Sequence, residues 1–570
     1  MIRRTFILPL LAAVPCLAAA ARPNILFILA DDLGYADVNS FASHLTGDDP
    51  ADMFYETPNI DRLTKDGTAF SQAYVCPLCS PTRASVLTGI NAARLGFTTA
   101  TPHVVRSFAS TGTTPPAGYL PHDALFWGDD IDTPQALLNG STLLALPTGR
   151  KDDGGRDVTT FAEALDGYRR AFLGKWHLGG HGADGHQPSD QGFEELAWFD
   201  SGASPFFRWR GLWNRSANTN PAVMKGRHTW GNAGEPGGSD YLTDDLTDRA
   251  DRFIRNHHEK SPDTPFLLYL CHFAVHEPLE AKPDDIRHFE TKPAKGRNGH
   301  DNATYAAMIR SLDQSVGRLM ATLDDLQIAS NTLVVFLSDN GGVSWTTMKG
   351  KKPVTSNKPL KGGKAMMYEG GIRVPLVVRW PAKVRAGVWC DEPVHCTDLF
   401  PTFVEASGGN PEETIQRLGL DGQSIMPLLA KDGNASVFHR EQPFFWHYPF
   451  NVAPLDPDDK LPLTPHSAIR KGDMKLIYDW HGGLRLYDIA KDPFETHDLA
   501  DEKPDLAKSL FRELNDWIDA KVDVKYTPAL NPDYDPAAEI RKLPFTDLRG
   551  KLLGPDRTIR AAAGDPRLAP

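Results

Sequence analysis

The chain has 570 residues, 41% of them hydrophobic and 24% charged, the profile of a globular protein long enough to bury a large core. Its formal net charge is −12, with both signs spread along the sequence, so no basic stripe is available to neutralise a phosphate backbone, which argues against nucleic acid as a partner. An acidic total does not exclude an anionic substrate, because cations gathered in one pocket act locally.

The N-terminus opens on basic Met1-Ile2-Arg3-Arg4, continues through an apolar run over 6–17 and reaches four alanines before Arg22. This predicts a signal peptide over 1–21 and an exported protein, periplasmic or extracellular. That run is too short to span a bilayer, and no later stretch reaches the roughly 20 apolar residues a spanning helix needs. Cys16 would suit a lipidated terminus, but Pro15 stands where a small residue is wanted. Cleavage leaves Cys76, Cys79, Cys271, Cys390 and Cys396, an odd number that implies at least one unpaired or chemically altered thiol. Cys390 and Cys396 are close enough to pair across a short loop, which spacing alone does not decide.

Asn24 to Ala30 (NILFILA) is almost wholly apolar and runs into Asp31-Asp32-Leu33-Gly34, the pattern of a buried parallel strand ending in acidic residues. A short helix is expected over 58–63 and a strand over 69–75. Next comes Cys79-Ser80-Pro81-Thr82-Arg83. Pro81 and the later Gly89 bracket a short helix, with Cys79 just before its N-terminus, where free N–H groups favour an anion. A helix over 158–165 feeds a strand over 171–173. Tyr305, Met308, Ile309, Leu312, Val316, Leu319, Met320, Leu323 and Leu326 form the stripe of a long amphipathic helix. The strand at 332–337 (TLVVFL) repeats the first pattern, ending in Ser338-Asp339-Asn340-Gly341-Gly342. Two strands thus deliver carboxylates at their C-terminal ends, where open α/β sheets place ligands.

Alternating helices and apolar strands predict a layered α/β domain over 22–430 with a mixed, mostly parallel central sheet. Beyond it, 467–478 and 484–487 read as antiparallel strands with a Gly-Gly turn between them, and 504–518 as an amphipathic helix, giving a smaller C-terminal α+β subdomain over 431–546. The polar segment 547–570 reads as a loosely attached tail.

The stretch C-x-P-x-R followed by A-S-V-L-T-G resembles the signature of the type I sulfatases, which belong to the alkaline-phosphatase-like superfamily. The resemblance spans roughly residues 23–500. It implies that a formylglycine-generating maturation enzyme oxidises Cys79 to formylglycine, that the hydrated aldehyde attacks sulfur, and that Arg83 holds that group. Thr82 departs mildly from the serine often found there. A C-x-x-C redox or zinc pair at Cys76 and Cys79 is the competing interpretation, but a zinc ribbon needs a second such pair and none follows.

Asp31, Asp32, Asp339 and Asn340 match the family's metal ligands, with the modified Cys79 completing the set. All are oxygen donors, which suits Ca2+, with Mg2+ second. In Gly174-Lys175-Trp176-His177-Leu178-Gly179 the resemblance gives Lys175 to sulfate binding and His177 to contact with the formylglycine. His276 matches the histidine that contacts sulfate and helps protonate the leaving oxygen, and His272, earlier in the presumed strand, is expected to be structural. Lys364 matches the second sulfate-binding lysine and Lys361 is secondary. The C-terminal S-A-I-R-x-G-D-x-K-L-I and L-Y-D segments resemble those of many bacterial polysaccharide sulfatases, implying a sulfated carbohydrate substrate. The chain departs from the family over about 103–155, and 200–231 carries aromatics beside arginines suited to stacking on sugars or to filling a loop's own core. Two rivals remain: a phosphodiesterase or phosphonate monoester hydrolase of the same superfamily, and a catalytically silent carbohydrate-binding relative.

Overall fold

The computed structural model describes residues 22–100, 107–108, 120–121, 136–143, 145–146, 158–179, 186–211, 239–293, 296–345, 352–431, 438–539, 541 and 544–560. The expected signal peptide, most of 103–155 and 212–231 lie outside the described residues.

The N-terminal part is built on β1 (Asn24–Ala30), α1 (Pro58–Asp66), β2 (Thr68–Tyr74), α2 (Cys79–Thr88), β3 (Arg169–Lys175), β4 (Glu195–Phe199), α3 (Leu242–Lys260), β5 (Phe266–Cys271), α4 (Ala303–Asp325), β6 (Thr332–Ser338), β7 (Arg373–Arg379), β8 (Val388–Cys390) and β9 (Val394–His395). The strands form one sheet in the order β8-β2-β7-β6-β1-β5-β3-β4, with β9 also pairing β2. All these pairings are parallel except those of β7, which runs against both neighbours. β1 lies between β5 and β6, with Leu29 opposite both Cys271 and Leu337. Its odd-numbered side chains enter one apolar layer and its even-numbered ones the other. A central strand covered on both faces needs a continuous apolar run, which is why NILFILA shows no alternation.

Helix α4 follows the expected stripe: Tyr305, Met308, Ile309, Leu312, Val316, Leu319 and Leu323 are all buried, while Met320 and Leu326 lie at its edge. Its Asp313 accepts from the backbone N–H groups of Asn59 and Ile60 at 2.9 and 2.8 Å. The carboxyl thus caps the first turn of α1, although burial raises its pKa to about 7 against the pull of these N–H groups. The helix expected over 158–165 is shorter, Phe161–Ala164, because Thr160 and Glu163 close a capping box at its start.

Gly174, beside Lys175, has φ +106, and a β-carbon there would stand 1.8 Å from Cys271 O. Strand β3 therefore approaches β5 through a glycine-only conformation. Gly174→Ala is expected to destabilise the protein by at least about 3 kcal/mol, through the clash and the positive φ together; denaturant unfolding measures it, and a loss below 1 kcal/mol would contradict this account.

The C-terminal half carries β10 (Phe444–Tyr448), β11 (His466–Lys471), β12 (Met474–Asp479), β13 (Gly483–Asp488) and α5 (Pro504–Lys521). The four strands form one antiparallel sheet in chain order. Two strands occupy the segment expected over 467–478, since a turn at Gly472 folds it on itself and brings Lys471 opposite Met474. The expected Gly-Gly turn joins β12 to β13, with Asp479 opposite Gly483. Part of the supposed loose tail is anchored. Leu548–Leu553 is a short helix whose Arg549 is buried against Asp519 of α5, and Arg557 reaches Asp516 and Asp519 at 2.5 Å. Acidic side chains on one face of α5 hold this segment through residue 560, and 561–570 lie outside the described residues.

All five described cysteines are buried free thiols. Cys390 and Cys396 are therefore unpaired: Cys390 lies on β8 opposite Phe70, and Cys396 follows the end of β9, where His395 lies opposite Tyr74. No helix among the described residues is long and apolar enough to cross a membrane.

Candidate active site

The C-terminal ends of β1, β3, β5 and β6 bring the distant motifs together. Reciprocal backbone bonds join Asp31 N to Ala274 O (2.9 Å) and Val275 N to Asp31 O (2.6 Å), which sets the loop carrying His276 beside Asp31-Asp32. Asp32 has φ +60 and its N–H donates to Asp339 Oδ1 at 3.2 Å. Asn340 Nδ2 donates to Asp32 Oδ1 at 2.7 Å. The four proposed metal ligands from two strand ends thus form one buried cluster.

Three cations converge on it. Arg83 donates from Nε and Nη2 to Asp339 Oδ2 at 3.1 and 2.7 Å, and from Nη1 to Lys175 O at 2.8 Å. Lys175 Nζ lies 2.5 Å from Asp31 Oδ2, and Lys364 Nζ lies 2.9 Å from Asp32 Oδ2. Cys79 is the first residue of α2 rather than the residue before it, and its Sγ stands 3.3 Å from His177 Nδ1. Ser80 Oγ donates to His177 O at 2.9 Å, so α2 grips the backbone of the Lys175–His177 turn from both Ser80 and Arg83. His177 has φ +54, and such local strain at non-glycine residues gathers where surrounding structure enforces a functional geometry.

His276 and His272 separate clearly. His276 Nε2 is 3.6 Å from Asp32 Oδ2 with its side chain 16% exposed at the pocket. His272 is fully buried, its Nε2 3.0 Å from Ser315 Oγ on α4, and burial drives its pKa down to about 3. The site thus includes every residue singled out from the motifs: Asp31, Asp32, Cys79, Arg83, Lys175, His177, His276, Asp339, Asn340 and Lys364. Lys361 lies apart, paired with Asp458 at 2.8 Å.

The electrostatics are those of a crowded buried cluster. Burial and then Asp339 raise the Asp31 carboxyl well above its ordinary range, despite Lys175 and Arg83. Burial opposes ionisation of Asp32 too, but Lys364, His276 and Lys175 outweigh it and hold that carboxyl low. Lys364 is kept protonated by Asp32 against the cost of burial, and burial with Lys364 keeps His276 neutral. Burial pushes the Cys79 thiol up, over the opposing pull of Lys175 and Lys364.

Tyr305 escaped the sequence reading as a site residue, because its position in the apolar stripe of α4 accounted for it. Its hydroxyl lies 3.0 Å from Asp32 O and 2.7 Å from Asp37 Oδ2. Asp37 Oδ2 also accepts from Gly34 N at 2.8 Å and Asp37 Oδ1 from Thr355 Oγ1 at 2.8 Å, so a buried carboxylate ties down the turn after Asp32.

Oxygen donors, converging cations and a side chain presented at a helix start act together on a tetrahedral anionic ester, holding its charge while one bond to the central atom breaks. The class is thus a hydrolase of anionic esters. The family model described as Sulfatase matches residues 23–409, and one described as N-sulphoglucosamine sulphohydrolase, C-terminal, matches 363–520. The chain belongs to the sulfatase family and is a sulfuric ester hydrolase. It is 29% identical over 545 residues to a sulfatase of Formosa agariphila, covering 88% of this chain and 89% of that one. It is 31% identical over 438 residues to the N-acetylgalactosamine-6-sulfatase of Mus musculus, covering 75% and 70%. Among solved structures, Ps i-CgsB in complex with k-i-k-neocarrahexaose superposes with a TM-score of 0.63 at 30% identity, covering 87% of this chain and 92% of that one.

Proposed function

We propose that this sulfatase removes sulfate from a sulfated carbohydrate in an exported setting, with position 79 as nucleophile after oxidation to formylglycine by a maturation enzyme, and with Ca2+ held by Asp31, Asp32, Asp339, Asn340 and position 79. The observation that carries the proposal is the convergence of Cys79 with His177, Lys175 and Lys364 around the carboxylate cluster. The sulfated-sugar substrate draws support from the oligosaccharide bound by Ps i-CgsB.

The residues fit a hard cation. Asp31 Oδ1 and Asn340 Oδ1 are buried oxygens with no hydrogen-bond partner among the described residues, and such atoms are costly unless something binds them. Once bound, the cation would draw negative charge from the sulfuryl oxygens. Arg83 fixes Asp339, Lys175 and Lys364 supply positive charge to the sulfate, and His177 Nδ1 accepts a proton from the nucleophile at position 79. His276 and Lys364, both against Asp32 Oδ2, stand where a proton can reach the departing oxygen.

Peptide mass spectrometry of protein from a host with the maturation enzyme should show residue 79 lighter by the difference between a thiol and an aldehyde. A screen of sulfated mono- and oligosaccharides, read by free sulfate, should find a substrate. A large preference for an aryl phosphodiester over every sulfate ester would overturn the choice of substrate. Exhaustive chelation should lower turnover by about 100-fold or more, with recovery on adding Ca2+; full activity in the chelated protein would remove the metal from the proposal.

A further inference from the structure

Cys76 and Cys79 share a C-x-x-C stretch, yet their thiols point to different places. Cys79 Sγ faces the His177 ring, whereas Cys76 Sγ lies 3.7 Å from Ser85 Oγ, farther along α2. The thiol that Cys76 meets belongs to Cys396, far along the chain, and the two side chains are hydrogen-bond partners.

Strand pairing brings them together. β9 runs parallel to β2 with Val394 opposite Ala73 and His395 opposite Tyr74, so the two chains leave the sheet side by side, one into Val75-Cys76 and the other into Cys396. Both exits are braced. Val75 N donates to Ile372 O at 2.9 Å, Val75 O accepts from Trp446 Nε1 at 2.8 Å, and Thr82 Oγ1 accepts from Cys76 N at 3.0 Å. On the other side, Asp398 Oδ2 accepts from His395 N at 2.8 Å and closes a capping box around the turn Cys396–Asp398. Two fixed backbones therefore hold the thiols in contact.

The surroundings prepare one thiol to react. The hydrogen bond from Cys396 pulls the Cys76 pKa down to about 5 against burial, with His395 assisting, while burial and then Cys76 drive Cys396 up. Cys76 is thus the thiolate at neutral pH, and Cys396 keeps the proton. The His395 ring nitrogens stand 3.8 and 4.0 Å from Cys396 Sγ, and His395 also lines a cleft of about 360 Å3. The pair lies one side chain below the surface.

We propose that Cys76 and Cys396 form a disulfide when the protein meets a small-molecule disulfide, which staples the loop before position 79 to the segment after β9. Cys76 Sγ attacks one sulfur of the small disulfide and releases the first small thiol. Cys396 then attacks Cys76 Sγ and releases the second. The two cysteines give up two electrons and two protons, and these leave with the two small thiols. No residue of the catalytic pocket takes part, so turnover is unchanged. Inactivation by heat slows instead, because a bond between residues so distant in sequence restrains the unfolded chain strongly.

The test holds the purified protein in a buffer of oxidised and reduced glutathione, with and without urea below the unfolding transition, then alkylates it in denaturant and digests it without reduction. The number of alkylated thiols should fall by two relative to reduced protein, and mass spectrometry should find one peptide pair joining residues 76 and 396, lighter by two hydrogens. The half-life of activity on heating should be at least about threefold longer than that of the reduced protein. Cys396→Ser should abolish the joined peptide and the longer half-life together. A bond from Cys76 to Cys79, a stable glutathione adduct on either thiol, or an unchanged thiol count both with and without urea would each overturn the assignment. None of these results bears on the substrate, so the sulfatase reading stands or falls separately.

Discussion

Cys79→Ala protein is expected to fold with thermal stability close to that of the original chain while turnover falls by about 10^5-fold or more. The substitution removes one sulfur atom from a buried position where it faces the His177 ring, so little packing depends on it. Under the proposed mechanism the reaction depends on it entirely, because the remaining cations can bind a sulfate ester without attacking it. Cys79→Ser sharpens the expectation. A single hydroxyl can accept the sulfuryl group, but it has no second hydroxyl whose deprotonation would expel sulfate. The variant should therefore release about one equivalent of alcohol and retain a sulfuryl group visible by intact mass. Multiple turnovers at an appreciable rate in either variant would refute the nucleophile.

Lys475→Met is expected to destabilise the protein by about 3–5 kcal/mol, the cost of leaving a buried charge unpaired. Lys475 on β12 is fully buried with its Nζ 2.8 Å from Glu369 Oε1 and 2.7 Å from Glu495 Oε1. Glu369 also accepts from the Tyr74 hydroxyl on β2 at 2.7 Å, and Glu495 accepts from Glu369 N at 2.7 Å. The cluster ties the antiparallel sheet to the catalytic one, so its loss should loosen their docking. Replacing both glutamates by glutamine in the Lys475→Met background should recover much of the loss; a full loss with the glutamates gone would locate the effect in packing instead.

The same cluster makes stability depend on pH. Burial raises the Glu495 carboxyl above its ordinary 4.5, over the pull of Lys475, whereas Lys475 and Arg373 lower Glu369 despite its burial. A raised carboxyl binds its proton more tightly folded than unfolded, so its contribution is fully present below pH 4.5 and is lost as pH rises through the folded value. Glu369 has the opposite sign, its contribution falling away below pH 4.5. Glu495→Gln, which imitates the protonated side chain, should flatten the decline above pH 4.5, as denaturant unfolding at a series of pH values would show. A slope identical to that of the original chain would mean that Glu495 does not titrate there.

Much of the catalytic half was legible because its signals are local. NILFILA and TLVVFL can be satisfied only by burial on both faces, and the aspartates that end each run mark where the chain leaves the sheet. Pro81 and Gly89 bounded α2 to within a residue at its start. The reversed direction of β7 was not legible, since an apolar strand reads alike in either direction and only its pairing decides. The aromatic segment after β4 was divided in a way no composition shows: Phe206 and Trp209 are core, whereas Phe207 faces solvent at 41% exposure. Lys475 looked like one more lysine on an alternating strand, because its two carboxylate partners are 106 and 20 residues away in other elements.

By itself, the sequence determined the chemical groups available and the short-range structure that presents them, since hydrophobic period, helix capping and motif spacing act over a few residues. The tertiary structure alone decided which groups meet. Parallel pairing of β1 with β5 and β6 puts Asp31, His276 and Asp339 at one sheet edge although more than 240 residues separate the first two. The two histidines that the sequence had already set apart take the expected places: the end of β5 buries the His272 ring against α4 and leaves His276, four residues later, at the pocket. Contact between distant residues depends on strand order and register, which no single stretch of chain carries.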